Sequence, residues 1–358
     1  MKPNKLRTAT VTWIQHENYG TYLQAYALQQ VLLEFGIENH IIDDKRIRCP
    51  NPLRRNILAP IKRFILRKKR LSSPYFLQFK TQYLKIDRNY SRLKELNERY
   101  DVFLCGSDQI WSANLKIEPY YYLSFTDKKK IAYAPSTGTG ASTQIYRQSV
   151  KPLLERFDAL SVREESGAKM LSGFIDKKIT TVLDPTLLLT KATWKKLLLP
   201  ITDPGNYLLC YFLTPNQWYL DYAKEYARKH QMRIRIFATH KAYHEYGGDC
   251  IYGGPQEFLS YINQAGHIFT DSYHASIFSI LFEKRFVTFK RFEDGKSGDQ
   301  NARIADLFRK IGLTSYFVGR NDLGTVETLP YIDYPNLQRR LSALRNESIS
   351  FLKTALYN

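Results

Sequence analysis

The stretch HIFTDSYHASIFSILFEKRFVTF, residues 267–289, decides how the rest of the chain is read. It opens with a short apolar run that reads as a buried strand ending near Thr270. Asp271 and Ser272 follow as turn residues, and Ile277, Phe278, Leu281 and Phe282 then recur with the 3.6-residue period of a helix. A strand passing through a polar turn into a helix is the repeating unit of a parallel α/β sheet. With Asp271 or Ser272 as N-cap, His274 falls in the first helical turn, beside unpaired backbone N–H groups and the positive end of the helix dipole. Such a position accepts an anion. The dipole favours neutral imidazole while a bound phosphate or carboxylate favours imidazolium, so His274 is a candidate proton carrier. On local features alone it is equally a histidine that hydrogen-bonds its own turn.

The same unit recurs towards the N-terminus. Ala9 to Ile14 reads as a strand and Gln15 to Gly20 as a loop, before a helix from about Thr21 to Phe35 that buries Leu23, Ala27, Val31 and Phe35. Gly36 is placed to end that helix, and Ile37 to Ile42 is a second strand. Strands at Asp101–Cys105, Lys130–Ala134, Ala159–Val162 and Thr181–Leu183 then deliver, in turn, the clusters GSDQIW, PSTGTG, Arg163-Glu164 and Asp184-Pro185. In a parallel sheet these clusters gather along one edge, where open α/β sheets bind ligands.

The segment PITDPGN, residues 200–206, is rich in breakers and reads as a linker. Beyond it come strands Tyr207–Phe212 and Arg233–Ala238 and helices Gln217–His230 and Pro255–Asn263, which lead into the opening stretch. The expected architecture is two facing, doubly wound Rossmann-like α/β domains with a cleft between them, at 1–198 and 207–330. A final segment, 331–358, carries a helix that can cross back onto the first domain.

At 358 residues the chain is long enough for two such domains, and its 44% hydrophobic content includes no apolar run of about 18 residues, so no membrane span is expected. The start, MKPNKLRTATVTWI, has neither the apolar core nor the cleavage site of a signal peptide, which predicts a cytoplasmic protein. Cys49, Cys105, Cys210 and Cys250 are scattered without CxxC spacing. His240 and His244 lack a completing carboxylate, so neither a metal site nor a disulfide framework is expected.

The net charge of +19 implies an anionic partner. Much of it lies in a basic insertion at about 45–75, where Lys45 to Arg70 contains no acid and Leu53, Ile57, Ile61, Phe64 and Ile65 share a helical face broken by Pro60. This pattern suits either an anionic membrane surface or a solvated helix with its apolar side on the protein. No RRM, KH or helix-turn-helix signature accompanies the charge, so nucleic acid is not expected.

Taken together, Asn18-Tyr19-Gly20 leading into LQAYALQ, CGSDQIW, SVREESG, VLDPT, TDSYHASIF and GDQNARI resemble the polysaccharide pyruvyl transferase family, with ordered motifs over about residues 11–315. The resemblance implies a GT-B-like fold and no bound cofactor. It also implies transfer of pyruvate from phosphoenolpyruvate, as co-substrate, to a nucleotide-linked or polyprenyl-diphosphate-linked sugar, generally as a ketal, in bacterial surface-polysaccharide synthesis. A donor with a phosphate and a carboxylate calls for cations and helix N-termini.

Arg163 matches the family arginine associated with the donor and is expected to hold it bidentately. His274 matches the catalytic histidine, in general acid/base work. Where the family often carries an arginine two positions before this histidine, the chain has Ser272, followed by Tyr273. Lys241, Arg285 or Arg303 are candidates to supply the missing donor contact, Arg303 lying in the matching NARI motif. Asp108 and Gln109 suit sugar hydroxyls, while Asn18 and Gly20 shape the first loop of the cleft. Trp111 is either a sugar platform or a core residue. The competing readings are a GT-B glycosyltransferase with a nucleotide-sugar donor and a non-enzymatic membrane-docking protein.

Overall fold

The computed structural model describes residues 5–15, 17–43, 72–201, 205–214, 216–238, 249–292 and 300–358. The basic run Lys45–Arg70, with Cys49, and also His240, Lys241 and His244 therefore lie outside the described residues. Strands β1 (Arg7–Val11), β2 (Glu38–Ile42), β3 (Ile86–Asp87), β4 (Val102–Cys105), β5 (Lys129–Ala132), β6 (Ala159–Val162) and β7 (Ile179–Thr181) form one parallel sheet, in the order β3-β2-β1-β4-β5-β6-β7. A second parallel sheet has the order β10-β9-β8-β11-β12-β13. Its strands are β8 (Tyr207–Tyr211), β9 (Arg233–Phe237), β10 (Asp249–Ile251), β11 (His267–Thr270), β12 (Arg285–Phe289) and β13 (Phe317–Val318). Both sheets are doubly wound α/β, as the alternation of strand and helix patterns predicts.

Helices α1 (Tyr19–Glu34), α2 (Ser73–Tyr83), α3 (Gln144–Leu154), α4 (Glu165–Ser172) and α5 (Lys191–Lys195) accompany the first sheet. The second half carries α6 (Gln217–Lys229), α7 (Pro255–Gln264), α8 (Tyr273–Leu281), α9 (Ala302–Ile311) and α10 (Tyr334–Tyr357). Helix α1 starts two residues earlier than its periodicity suggests, because Asn18 Oδ1 accepts from the Thr21 amide (3.3 Å) and caps it. The strand expected at Thr181–Leu183 sits instead at Ile179–Thr181. Val182 and Leu183 run on to Asp184, which caps a short 3₁₀ turn, Pro185–Leu187.

Strand order places a switch point in each sheet. In the first it lies between β1 and β4, where connections leave in opposite directions, and in the second between β8 and β11. Ligand crevices open there, beyond the carboxyl ends of the strands.

A shared apolar core joins the two halves, running from α1 into α7 and α8. Tyr19 stacks on Phe258 (4.4 Å between centroids), and Trp194 meets both Tyr26 (5.7 Å) and Phe278 (4.9 Å). Helix α10 crosses back onto the first half, where Ser348 Oγ accepts from the Leu183 amide (2.9 Å) and Arg345 Nε donates to the Leu187 carbonyl (2.8 Å). These contacts aim one switch point at the other.

Candidate active site

The turn between β11 and α8 is pinned from below. Thr270 Oγ1 donates to the Tyr211 carbonyl (2.6 Å) and accepts from the Ser272 amide (3.0 Å). The buried Asp271 carboxylate accepts from the amides of Leu213 (2.6 Å) and Thr214 (3.0 Å), with Arg291 Nε 3.6 Å away. Burial raises the Asp271 carboxyl despite these partners. Ser272 is the N-cap, its Oγ accepting from the Ala275 amide (3.4 Å), so His274 lies in the first turn of α8.

His274 is 8% exposed. Its Nε2 lies 3.5 Å from Asp184 Oδ2 with no hydrogen bond formed, and Nε2 is otherwise unpartnered. The far side of the ring rests on Gly20, where a Cβ would fall 1.9 Å from Nδ1. Glycine is the residue that fits, because the imidazole fills the space of a side chain.

Asp184 joins the two halves of the site. Its Oδ1 accepts from the Thr186 amide (2.9 Å) and hydroxyl (2.6 Å), while Oδ2 accepts from Arg163 Nη1 (2.6 Å) and faces His274. Burial would raise this carboxyl, yet His274, Arg163 and Thr186 together hold it well below the usual carboxylate range.

Arg163 is fully enclosed. Nε donates to Glu164 Oε1 (3.2 Å), Nη1 to Asp184, and the guanidinium lies 4.4 Å from the Tyr273 ring centroid. Only Nη2 lacks a partner, as does Glu164 Oε2. A bidentate hold on a donor would have to break one of the two existing carboxylate contacts. Against the downward pull of burial, Tyr273, Glu164 and Asp184 push the guanidinium up, which keeps it charged.

Arg303 is placed differently. It reaches the same Tyr273 ring (6.0 Å), but among the described residues its donors meet only Gln300, through the carbonyl (3.4 Å, from Nε) and Oε1 (3.2 Å, from Nη2). It has no carboxylate partner among the described residues. Burial, then the like charge of Arg163, lowers it to about 10. An anion at this position would relieve both effects.

Across the cleft, Asp108 Oδ2 accepts from Thr21 Oγ1 (2.5 Å) and Oδ1 from the Gln109 amide (2.8 Å), while Gln109 Nε2 donates to Gln300 Oε1 (3.0 Å). Helix α1, the CGSDQ loop and the residues leading into α9 thus meet. Several contacts tie α4, just after Arg163, to α9: Asp306 Oδ2 accepts from the Ser166 amide (3.0 Å) and hydroxyl (2.9 Å), and Glu165 pairs with Arg309 (2.7 Å) and Lys310 (3.2 Å).

The structure therefore gathers Arg163, Ser272, Tyr273, His274, Arg303, Asp108, Gln109, Asn18 and Gly20 around the two switch points. Trp111 is a core residue, 1% exposed, stacked on Tyr122 and donating to the Tyr121 carbonyl. Arg285 opens β12 at the opposite end of the sheet and does not reach the site. Among the described residues no cluster of His, Cys, Asp or Glu has the geometry of a metal site, and Cys105, Cys210 and Cys250 are free. Asp184 is placed by the sequence among the polar clusters that follow strands, but no role is assigned to it there. Its signal was the Asp-Pro-Thr run after a strand, which places a carboxylate at a capped turn beside its neighbours' strand ends.

Solved structures of like fold include the UDP-N-acetylglucosamine 2-epimerase of Rickettsia bellii, with TM-score 0.57 and 9% identity over 99% of this chain and 97% of that one. The Neisseria meningitidis UDP-GlcNAc 2-epimerase bound to UDP-GlcNAc gives 0.54 and 12% over 98% and 100%. That of Methanocaldococcus jannaschii gives 0.53 and 12% over 96% and 99%. At such identities the likeness is one of fold, the GT-B-like pair of facing domains. No curated protein sequence matches the chain. The family model described as polysaccharide pyruvyl transferase matches residues 18–291, which run from the N-cap of α1, through Arg163, Asp184 and His274, to the arginine beside Asp271. The chain belongs to the polysaccharide pyruvyl transferase family.

Proposed function

We propose that the chain transfers the pyruvyl group of phosphoenolpyruvate to two hydroxyls of a sugar, forming a ketal and releasing phosphate. The observation that carries the reading is the buried Glu164–Arg163–Asp184 ion-pair chain, with His274 Nε2 facing Asp184 and the uncompensated Arg303 beside it. Arg303 and Arg163 Nη2 supply positive charge for the donor's phosphate and carboxylate. His274 Nε2, without a formed hydrogen bond, passes a proton to the methylene carbon, and the negative charge of Asp184 stabilises the imidazolium that donates it.

The step balances. Protonation at C3 makes a methyl group and an electrophilic C2, one hydroxyl oxygen bonds to C2, and the second displaces phosphate by breaking the C2–O bond. Of the two hydroxyl protons lost, one replaces that given to C3 and the other leaves with phosphate. In this reading Asp108 and Gln109, on the loop after β4, orient those hydroxyls.

The acceptor in this reading is a nucleotide- or lipid-linked sugar in surface-polysaccharide synthesis. A lipid-linked acceptor fits the basic segment at 45–70 and the exposed Tyr75 (41%) and Leu77 (61%) at the start of α2 just after it. No helix among the described residues is long and apolar enough to cross a membrane. Contact with the lipid surface is tested by flotation on anionic liposomes before and after replacing Arg67, Lys68, Lys69 and Arg70. Unchanged flotation removes that part of the reading.

The transfer itself is tested by phosphate release from phosphoenolpyruvate that depends on the sugar acceptor. His274→Ala should abolish release in a folded protein. Wild-type turnover in that variant would remove His274 from the chemistry.

A further inference from the structure

Arg285, Lys284 and His267 lie at the amino ends of β11 and β12, whereas the active site follows the carboxyl ends. They border a half-open cavity of about 250 Å³ between that end of the sheet, α6 and the segment entering α10. It lies a strand length, roughly 10 Å or more, below the site. Its walls are aromatic, and three tyrosine hydroxyls there are already engaged. Tyr226 is bonded with His267 Nδ1 (3.0 Å), Tyr334 donates to the Lys284 carbonyl (2.5 Å), and Tyr316 donates to the Pro330 carbonyl. What they offer a ligand is ring surface.

Arg285 stands at the edge of this cavity, its guanidinium 5.5 Å from the ring of Tyr331, which is 90% exposed. It has no carboxylate partner among the described residues. Burial, then Arg285 and His230, lower His267 to about 4, so it is neutral at pH 7 and competes for no anion. Glu283 shares one oxygen with Lys191 (2.6 Å), and the other can accept from a hydroxyl.

We infer that this cavity binds a single acidic sugar unit, its carboxylate on Arg285 and its apolar C–H face on the tyrosine rings. The volume is below the roughly 300–1,000 Å³ of sites for drug-sized ligands, so it takes one ring and not a nucleotide sugar. A guanidinium matches a carboxylate by paired hydrogen bonds. Hydroxyls on the ring distinguish a sugar acid from an aromatic acid, because only the former can satisfy Glu283. The inference rests on the polysaccharide reading for its choice of ligand. The ketal itself carries a carboxylate, so such a site would recognise glycan that already bears acidic groups.

The test is calorimetric titration and saturation-transfer NMR of the full chain with D-glucuronate. D-glucose, without the carboxylate, and benzoate, without the hydroxyls, serve as comparison probes. Glucuronate should bind the wild type and bind Arg285→Gln roughly tenfold or more weakly. In Tyr331→Ala, at an exposed position where folding is not at risk, saturation of the ring protons should fall. Binding should persist in the presence of phosphoenolpyruvate and in Arg303→Gln.

Absence of glucuronate binding, binding indifferent to both cavity substitutions, or displacement by phosphoenolpyruvate would each overturn the inference. Tighter binding of benzoate would assign the cavity to an aromatic acid instead. Phosphate release, measured on the same wild-type and Arg285→Gln proteins, keeps the two readings apart. Turnover without glucuronate binding rejects the cavity alone, and glucuronate binding without turnover on any acceptor rejects the pyruvyl transfer alone.

Discussion

Replacing Gly20 by alanine sets helix propensity against the placement of His274. Alanine in place of a helical glycine favours α1 by up to about 0.5–1 kcal/mol. The new Cβ, however, would lie 1.9 Å from Nδ1, 2.3 Å from Cγ and 2.6 Å from Cε1 of His274, where ordinary contact begins at 3.4 Å. The ring must therefore move by about 1.5 Å, and a close-packed interior gives it little room. Tyr273 flanks it edge-on (5.2 Å between centroids) and Asp184 faces Nε2.

Overpacking of this kind costs about 1–3 kcal/mol. After the propensity gain, the net loss of stability should be about 0–2.5 kcal/mol. The effect on chemistry should be larger, because a displacement of about 1 Å can lower turnover by about 10²-fold. The assay is acceptor-dependent phosphate release from phosphoenolpyruvate, with circular dichroism and a thermal melt on the same sample. Gly20→Ala should be folded and at least about 100-fold slower. Wild-type turnover in a folded Gly20→Ala protein would refute the claim that the imidazole needs this seat.

Asp184→Asn leaves Arg163 and His274 without their shared carboxylate, and should destabilise the protein by roughly 3–5 kcal/mol at pH 7. Because the folded-state pKa of Asp184 is depressed, its contribution is full above its unfolded value near 3.8 and is lost progressively as pH falls below that. The gap between wild type and variant in denaturant melts should therefore narrow below pH 4, and equal stability at pH 7 would contradict the ion-pair account. Arg303→Gln should raise the KM for phosphoenolpyruvate by about 10-fold or more with the fold retained, as expected for one charged hydrogen-bond donor removed from an anion. An unchanged KM would return the donor to Arg163. Asp306→Ala removes the acceptor that ties Ser166 to α9, and should raise KM more than it lowers kcat by loosening Arg303. A pure kcat effect measured in steady-state kinetics would show that this contact serves the chemistry and not the donor.

Much of the fold was legible in the sequence because both sheets are parallel and buried. VFLC and YLLCY are uninterrupted apolar runs, and the polar clusters after them mark the carboxyl ends of strands. The two-residue strands β3 and β13 are too short to carry a period, and the Thr181–Leu183 reading slipped because Val182 and Leu183 are buried outside the ladder. At the site, Ser272, Tyr273 and His274 were placed by helix-capping chemistry alone. The partners of Arg163 were not legible. Glu164 is adjacent in sequence, while the decisive contact, with Asp184, is made twenty-one residues away through packing of two strand ends. Arg285 and Arg303 looked alike as arginines near the right motifs, and only the direction of β12 separates them. Gly20 gave no local sign of touching His274, because that contact lies between the two halves.

The central claim is that Arg303, Arg163 and His274 form a phosphoenolpyruvate site. The most direct measurement is thermal stabilisation of the wild type by phosphoenolpyruvate, with UDP-GlcNAc as comparison and Arg303→Gln beside it. A ligand present at about a hundred times its Kd adds about 2.7 kcal/mol if it binds only the folded state. The account predicts an upward shift in Tm with phosphoenolpyruvate that Arg303→Gln abolishes. A shift with UDP-GlcNAc and none with phosphoenolpyruvate would contradict it and point to a nucleotide-sugar donor.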